Sequence, residues 1–233
     1  MKARTAALIL AGMLMTAAPA FAGTIDFNFN LPGGKLGTTQ SYMSNSLTVT
    51  AYGYKCYASS ASSTKLSSCV GSDLYGKNGG VGETGLGLNG EDDQEIGWIS
   101  KKDDYVLGLD VSSLVSAHVS SITLDFGSVQ KGENYTIWGY SSNPFGSKVT
   151  LSNQLVSYFG TSNSTANHSS TISLDSSDQF LVITSQCGDV LLDSLTGQTP
   201  NATTPEPGTL VLFGSGLLLA GFFVRRRLAN QSA

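Results

Sequence analysis

The chain has 233 residues, with 13 Lys and Arg against 17 Asp and Glu, a formal net charge of −4 and only 13% charged residues. So low a charge density, together with 27 glycines, excludes a coiled coil or a long helical bundle. Three cysteines and two histidines leave little material for a zinc site or a histidine-based catalytic apparatus.

The first 22 residues have the three parts of a secretory signal peptide. Lys2 and Arg4 form a short basic start, an apolar run follows, and Ala20 and Ala22 supply the small residues that signal peptidase requires. We therefore predict a signal peptide at 1–22, export of the chain, and cleavage after Ala22. An uncleaved membrane anchor is the alternative.

Residues 23–197 are predicted to form one secreted domain built from short strands. Segments with alternating apolar and polar residues recur between clusters of Gly, Asn, Asp and Ser, which is typical of antiparallel strands. One short helical turn is predicted at 112–118. About nine or ten strands at this spacing indicate an all-β fold, an antiparallel β-sandwich that is jelly-roll-like. The predicted strands are 24–29, 47–54, 105–111, 121–126, 135–140, 149–159, 171–174, 180–184 and 190–195.

The charge of this body bears on its partners. Residues 23–204 contain 16 acidic residues, eight lysines and no arginine, a net charge of about −8. Such a surface repels phosphate backbones and lacks the planar guanidinium that binds them best. We therefore predict no nucleic-acid partner.

Two aromatic pairs indicate a binding surface. Tyr52 and Tyr54 lie on one side of a predicted strand, and Trp138 and Tyr140 lie on one side of another. Exposed aromatic faces can stack on sugar rings, which predicts a carbohydrate-binding surface. In a two-layer sandwich the same side chains can instead belong to the core, and the sequence leaves both interpretations open.

The cysteines suggest one disulfide. Cys56 and Cys69 bracket a serine-rich loop, and in an oxidising compartment a bond between them would close about 14 residues and contribute roughly 3 kcal/mol. Cys187 is left over. We predict that it is a buried free thiol, because an unpaired cysteine behaves as a small hydrophobe; pairing with another chain is the alternative.

A glycine-rich segment leads into an acidic run. Gly85, Gly87 and Gly90 match the dinucleotide-binding string, but acidic residues follow where a helix should begin, so we interpret them as turn glycines. The carboxylates of the run can supply several of the six to eight oxygen ligands that Ca²⁺ takes. They predict a weak structural calcium site, and a solvated loop is the alternative. The residues concerned are Glu91, Asp92, Asp93 and Glu95.

The C-terminal region reads as a membrane helix. The apolar run 209–224 would be about 24 Å long as a helix, against about 30 Å of hydrocarbon, and snorkelling arginines can make up part of the difference. Arginines beside a span favour the cytoplasmic side. We predict a transmembrane helix at 209–228 and a cytoplasmic tail at 229–233, with the body outside the cytoplasm. A buried core helix is the alternative. The arginines are Arg225, Arg226 and Arg227.

The segment before this helix contains a proline pair, so that a proline pair, an apolar helix and an arginine cluster follow one another. Pro205 and Pro207 flank Glu206 in the polar linker 198–208, and each proline fixes φ and lacks an N–H, which holds the linker extended. Pro205, Glu206 and Pro207, the apolar helix and the arginine cluster together resemble the PEP-CTERM sorting signal of Gram-negative bacteria. The resemblance implies that an exosortase, an integral-membrane enzyme, recognises and cleaves the signal, and that the protein associates with exopolysaccharide or a biofilm matrix.

No residue of the chain is assigned a catalytic role. The nucleophile pattern Gly-x-Ser-x-Gly is absent from the sequence, and 16 carboxylates do not select the pair that a glycosidase needs. We predict a non-enzymatic protein that is anchored in the inner membrane and, after processing, reaches the cell surface or the medium. The alternative function is a carbohydrate-binding module, stabilised by calcium.

Overall fold

The computed structural model describes residues 23–60, 63–80, 82–90, 94–99, 103–146, 148–161, 167–199 and 216–217. Contacts divide the chain into two units, and Gly23–Pro200 is the one that these residues describe almost throughout. Its described part is all-β and antiparallel, with a short helix α1 at Ser112–Ser116. The strands are β1 (Thr24–Asn28), β2 (Gly34–Gly37), β3 (Thr39–Ser44), β4 (Leu47–Ala58), β5 (Lys65–Gly71), β6 (Leu74–Asn78), β7 (Thr84–Leu88), β8 (Ile96–Ile99), β9 (Asp103–Asp110), β10 (Ser121–Gly127), β11 (Asn134–Tyr140), β12 (Lys148–Thr150), β13 (Gln154–Phe159), β14 (His168–Ser173), β15 (Phe180–Thr184) and β16 (Asp189–Gln198).

The first sheet is arranged around β16. Strand β10 pairs with one edge of β16, and β14 follows β10. The other edge of β16 is shared by β1 and β7, after which come β6 and β2. Thr24 pairs with Gln198, so the first and last strands of the body lie side by side.

The second sheet has β4 and β9 at its centre, paired from Thr50 and Asp110 to Tyr57 and Asp103. Beyond β4 lie β3 and, further along the same strand, β5 with β12. Beyond β9 lie β8 and the series β15, β11 and β13. Val190, near the start of β16, pairs with β8, so β16 connects the two sheets.

One apolar core takes side chains from both sheets. Phe27 and Phe126 come from the first sheet, and Leu107 and Ile137 from the second. Alternate residues of each strand reach this core because successive side chains of a strand point to opposite faces. Burial of this shared apolar surface is the main force that holds the sheets together, and the arrangement is sandwich-like.

All nine predicted segments contain strands, and α1 lies within the predicted helical turn. The segment 149–159 is divided into β12 and β13, because residues 151–153 leave the extended ladder to turn back. Six further strands, β2, β3 and β5–β8, were not predicted. Most of them are rich in glycine and serine, and none alternates apolar with polar side chains over its whole length.

Gly85 and Gly87 lie inside strand β7, so their interpretation as turn residues is wrong. Gly85 has φ of +141°, and a Cβ there would lie 2.8 Å from the Leu192 carbonyl oxygen. A Cβ on Gly87 would collide with the Gln94 carbonyl oxygen. These glycines allow close approach of neighbouring backbones.

Candidate functional site

A second apolar cluster covers the face of the second sheet that points away from the core. Gly108 of β9 makes room for it, since a Cβ there would lie 2.7 Å from Cζ of Phe180 and 3.3 Å from Cε2 of Tyr54. We call this group the outer cluster. Its buried members are Cys56, Ala58, Leu66, Val106, Trp138, Val149, Leu151, Phe180 and Val182, and Tyr52, Tyr54, Cys69, Tyr140 and Phe145 pack against them.

The chain between β11 and β13 crosses the outer cluster as a strap, residues 141–153, of which residue 147 lies outside the described residues. Its strand β12 pairs with β5 at the far edge of the sheet. The ring of Phe145 stacks on that of Tyr54 with 3.8 Å between centroids. Asn143 donates from Nδ2 to the Tyr54 hydroxyl at 2.8 Å, and its Oδ1 accepts the backbone N–H of Phe145 at 2.9 Å. The strap therefore holds Tyr54 and leaves Tyr52 beside its start.

A cavity of about 210 Å³ opens at that point, and we call it the Tyr52 pocket. The rings of Tyr52 and Phe180, with centroids 5.8 Å apart, line one side of it. The volume is below the roughly 300–1,000 Å³ of pockets for drug-sized ligands, so it fits one small ring unit. The polar lining consists of Asp110, Ser112, Ser141, Ser142, Asn143 and Gln179.

Asp110 supplies the negative charge of the pocket. It is the last residue of β9 and pairs with Phe180 across the ladder. Its Oδ1 accepts the backbone N–H of Ser112, at the start of α1, at 3.0 Å. Burial, the Asp110 carboxylate and the Tyr54 phenol together raise the pKa of Tyr52. A neutral phenol, a carboxylate and several amides and hydroxyls therefore meet around one aromatic wall.

The four aromatic residues singled out from the sequence all belong to the outer cluster. Tyr52, Tyr54 and Tyr140 are half-buried, and the Tyr140 hydroxyl donates to the Thr150 carbonyl of the strap at 3.0 Å. Trp138 is only 5% exposed, and its Nε1 donates to Oγ1 of Thr184 at 3.2 Å. Burial removes Trp138 from the side chains that a ligand can contact, because the strap covers its strand.

Sequence reasoning missed Asp110, Asn143, Gln179 and Phe180 as partners of Tyr52. A signal existed for Phe180, which opens the predicted strand 180–184 and belongs to its apolar pattern. No local signal existed for the other three, because they lie at strand ends or in the strap, and their approach depends on pairings far apart in the chain.

Cys56 and Cys69 form a disulfide at the edge of the outer cluster. Cys187 is an exposed free thiol, so the prediction of a buried thiol is wrong. Its backbone N–H donates to Oδ1 of Asn134 at 3.1 Å and its carbonyl accepts the Asn134 N–H at 2.9 Å. These bonds hold Cys187 in the turn before β16, where its side chain faces solvent.

Of the predicted calcium ligands, Glu91, Asp92 and Asp93 lie outside the described residues, and Glu95 has a different partner. Its side chain is buried and pairs with Nζ of Lys77, which also binds Oε2 of Glu83 at 3.0 Å. Burial raises the pKa of Glu95 to about 7, against the opposing effect of Lys77. Within the described ranges no group of three or more His, Cys, Asp or Glu side chains is placed to hold a metal ion.

The residues predicted to direct export and sorting lie outside the described residues: Ala20, Ala22, Pro205, Glu206, Pro207, Arg225, Arg226 and Arg227. Of the predicted membrane helix, Gly216 and Leu217 are described, and both are helical. No helix in the described part of the chain has the length and apolarity needed to span a membrane.

Residues 203–227 match the family model of the PEP-CTERM protein-sorting motif. The chain therefore carries this motif, and the resemblance drawn from its proline pair, apolar run and arginines is confirmed. The motif implies export, sorting at the membrane and processing by an exosortase on the way to the cell surface.

No curated protein matches the sequence. Among solved structures, the K1 cleaved adhesin domain of Lys-gingipain from Porphyromonas gingivalis W83 is similar at a TM-score of 0.38 and 11% identity, over 76% of this chain and 95% of that chain. The isomalto-dextranase of Arthrobacter globiformis T6, complexed with panose, is similar at a TM-score of 0.34 and 12% identity, over 76% of this chain and 32% of that chain. Likenesses of this degree carry no argument about function.

Proposed function

We propose that this chain is a non-enzymatic surface protein of the exopolysaccharide or biofilm matrix, which an exosortase releases from a temporary membrane anchor. The observation that carries the proposal is the sorting motif at 203–227, which begins four residues after Thr199, the last described residue of the body. In the proposed route, signal peptidase cuts after Ala22. A helix at 209–228 then holds the chain in the inner membrane, with the tail 229–233 in the cytoplasm.

In the proposed route the C-terminal segment provides the anchor and the processing site, and the body provides the folded domain. Arginines at the end of an apolar span resist translocation, so Arg225–Arg227 keep the last residues inside. The two prolines keep the linker extended, which leaves its backbone accessible to a processing enzyme. The body is proposed to be a jelly-roll-like sandwich, supported by the core that both sheets share.

The test follows where the protein goes and where it is cut. Deleting 205–233 should release the body into the periplasm or the medium, and intact mass of the mature wild-type protein should place its C-terminus near Pro205–Pro207. Asn201→Ala, which changes the linker but lies outside the motif, is the matched control and should be sorted like the wild type. A truncated protein that stays in the membrane fraction would contradict the proposed anchor.

A second candidate function, carbohydrate binding, is supported by one specific observation. Tyr52, Tyr54 and Tyr140, which were singled out as sugar-stacking residues, meet in the outer cluster, and the Tyr52 pocket lies at its border. Aromatic rings combined with a few fixed polar groups are the usual composition of small-ligand pockets. A matrix protein that binds polysaccharide would join both candidates in one role.

Retention on immobilised exopolysaccharide of the producing cell tests this candidate. Tyr52→Ala should elute earlier than the wild type, because the pocket loses its stacking ring. Tyr57→Ala is a matched control, since Tyr57 is an exposed tyrosine on the opposite side of the same strand, and it should elute like the wild type. Equal retention of all three proteins would remove the Tyr52 pocket from the proposal.

A further inference from the structure

We propose that the Tyr52 pocket recognises an amine-bearing sugar ring, such as a de-N-acetylated hexosamine within a polysaccharide. The inference rests on the proposed carbohydrate-binding function and names the ligand class of that site. Its basis is the combination of an aromatic wall with a single carboxylate.

The aromatic wall selects a ring-shaped ligand. Phe180 is only 3% exposed, and the half-buried Tyr52 therefore presents most of the accessible ring surface in the Tyr52 pocket. The two ring planes are inclined by 41°, so a ligand ring that lies on Tyr52 has its edge against Phe180. The C–H face of a sugar supplies the apolar surface that such a ring contacts.

The charge of the pocket selects among sugars. Among the described residues that line it, Asp110 is the one that carries a charge. Its Oδ1 accepts the Ser112 N–H, whereas Oδ2 has no hydrogen-bond partner in the described part of the chain. An ammonium group placed there gains a charge-assisted hydrogen bond, and a uronate would be repelled both by Asp110 and by the net negative charge of the body.

The neutral polar side chains of the Tyr52 pocket are held by hydrogen bonds before any ligand binds. Asn143 bonds to the Tyr54 hydroxyl and to the Phe145 backbone, and the Gln179 amide donates to the Ser176 carbonyl at 3.2 Å. Side chains held in this way lose little conformational entropy when a ligand binds. They offer donors and acceptors to the hydroxyl groups of a ligand ring.

Calorimetric titration of the full chain, in detergent at pH 6 where the sugar amine is protonated, tests the inference. The probes are β-1,4-linked glucosamine oligomers, the same oligomers fully N-acetylated, and oligogalacturonate. The glucosamine oligomers should bind roughly fivefold more tightly than the acetylated ones, the ratio expected of a partly exposed ion pair. Oligogalacturonate should bind least.

Two variants localise the effect. Asp110→Asn keeps the shape of the pocket and should make the two hexosamine oligomers bind equally, whereas Tyr52→Ala should abolish binding of both. Asp26→Asn removes a carboxylate from an exposed position of the first sheet and serves as the matched control for non-specific attraction of a polycation. It should leave the preference intact, and thermal melting checks that each variant is folded.

Each adverse result has a distinct meaning. Equal binding of both hexosamine oligomers to the wild type overturns the inference but leaves carbohydrate binding standing. An equal loss of preference in Asp26→Asn and Asp110→Asn also overturns it, because the attraction would then come from the overall charge. Failure of all three probes to bind overturns both the inference and the carbohydrate-binding function of this pocket.

Discussion

Asp104 is the residue at which burial and charge conflict most directly. It lies in β9 with its side chain buried, and its Oδ1 has no hydrogen-bond partner within the described residues. Burial raises the pKa of Asp104 to about 7. The native state therefore holds a proton that the unfolded chain releases near pH 4, so the free energy of unfolding falls as pH rises from about 4 through 7.

Replacing this carboxyl by an amide removes the titration. Asp104→Asn should be more stable than the wild type at pH 8.5 by roughly 1–3 kcal/mol and close to it at pH 4.5, as measured by urea unfolding. Asp26→Asn, at an exposed position, is the control and should show little difference between the two pH values. A stability difference of the same size at both pH values would mean that the Asp104 charge is not what the fold disfavours.

At the scale of single residues, sequence reasoning predicted the side of the strand but not what covers it. The alternation in β4 correctly placed Tyr52 and Tyr54 on one side of their strand, because the alternation of side chains between two faces is a local property of a strand. Whether that face meets solvent depends on a strap that begins more than 80 residues later. The same limit applies to Glu95, which lies just before β8 and whose partner Lys77 comes from β6.

At the scale of secondary-structure elements, the Cys56–Cys69 disulfide links the paired strands β4 and β5. Because the bond closes a short loop in the unfolded chain, Cys56→Ala combined with Cys69→Ala should lower the free energy of unfolding by about 3 kcal/mol. Urea unfolding measures the loss, and the wild type treated with a reductant should lose a similar amount. Cys187→Ala removes the free thiol and should change nothing. A double variant as stable as the wild type would contradict a stabilising role for the bond.

The packing of the outer cluster requires a glycine at position 108 in β9, because no space is left there for a side chain. In Gly108→Ala the new methyl group would meet Phe180 and Tyr54 at distances that force both rings to move. We expect a loss of roughly 1–3 kcal/mol, as for other overpacked sites, together with a changed near-ultraviolet circular dichroism. Gly146→Ala in the strap is the matched control, since nothing lies within 4 Å of its Cβ position. Equal melting of the two variants would mean that the cluster adapts without strain.

The strap explains why the pairing at one edge of the second sheet was not predicted. Residues 135–140 and 149–159 alternate as strands do, and both regions do contain strands. The return of β12 to pair with β5 is a contact between residues about 80 positions apart, and no local pattern encodes it. A sheet predicted without this strap has an exposed aromatic face, which is why all four aromatic residues suggested a ligand surface.

For the molecule as a whole, composition and periodicity were enough to predict an all-β antiparallel body. The sequence signals failed where glycine-rich strands such as β7 replace alternation with close backbone approach. They also failed at Asp110, Asn143 and Gln179, since a pocket formed by strand ends and a crossing segment has no sequence period. The sorting motif was predictable because its information is linear: a proline pair, an apolar run and arginines, in that order.

The first and last strands close the body on itself. β1 pairs with β16 along its whole length, the Gly23 N–H donates to Oγ1 of Thr199 at 2.9 Å, and the Thr199 N–H donates to the Gly23 carbonyl at 3.1 Å. A chain cut after Ala22 therefore begins at a residue that is already paired. Because this pairing is complete within the described residues 23–199, we expect the body to fold without the two terminal segments that processing is proposed to remove.

Three proteins that begin at Gly23 and differ by six residues test this closure. Chains that end at residue 205 and at residue 199 should melt together, because the last strand is complete in both. The chain that ends at residue 193 loses Leu195, which is fully buried, and the partners of β1 and much of β10. It should melt far below the other two or fail to fold. If instead the chain ending at 199 melts well below the one ending at 205, the body needs the linker, and its boundary lies nearer to the sorting motif than the strand pairing indicates.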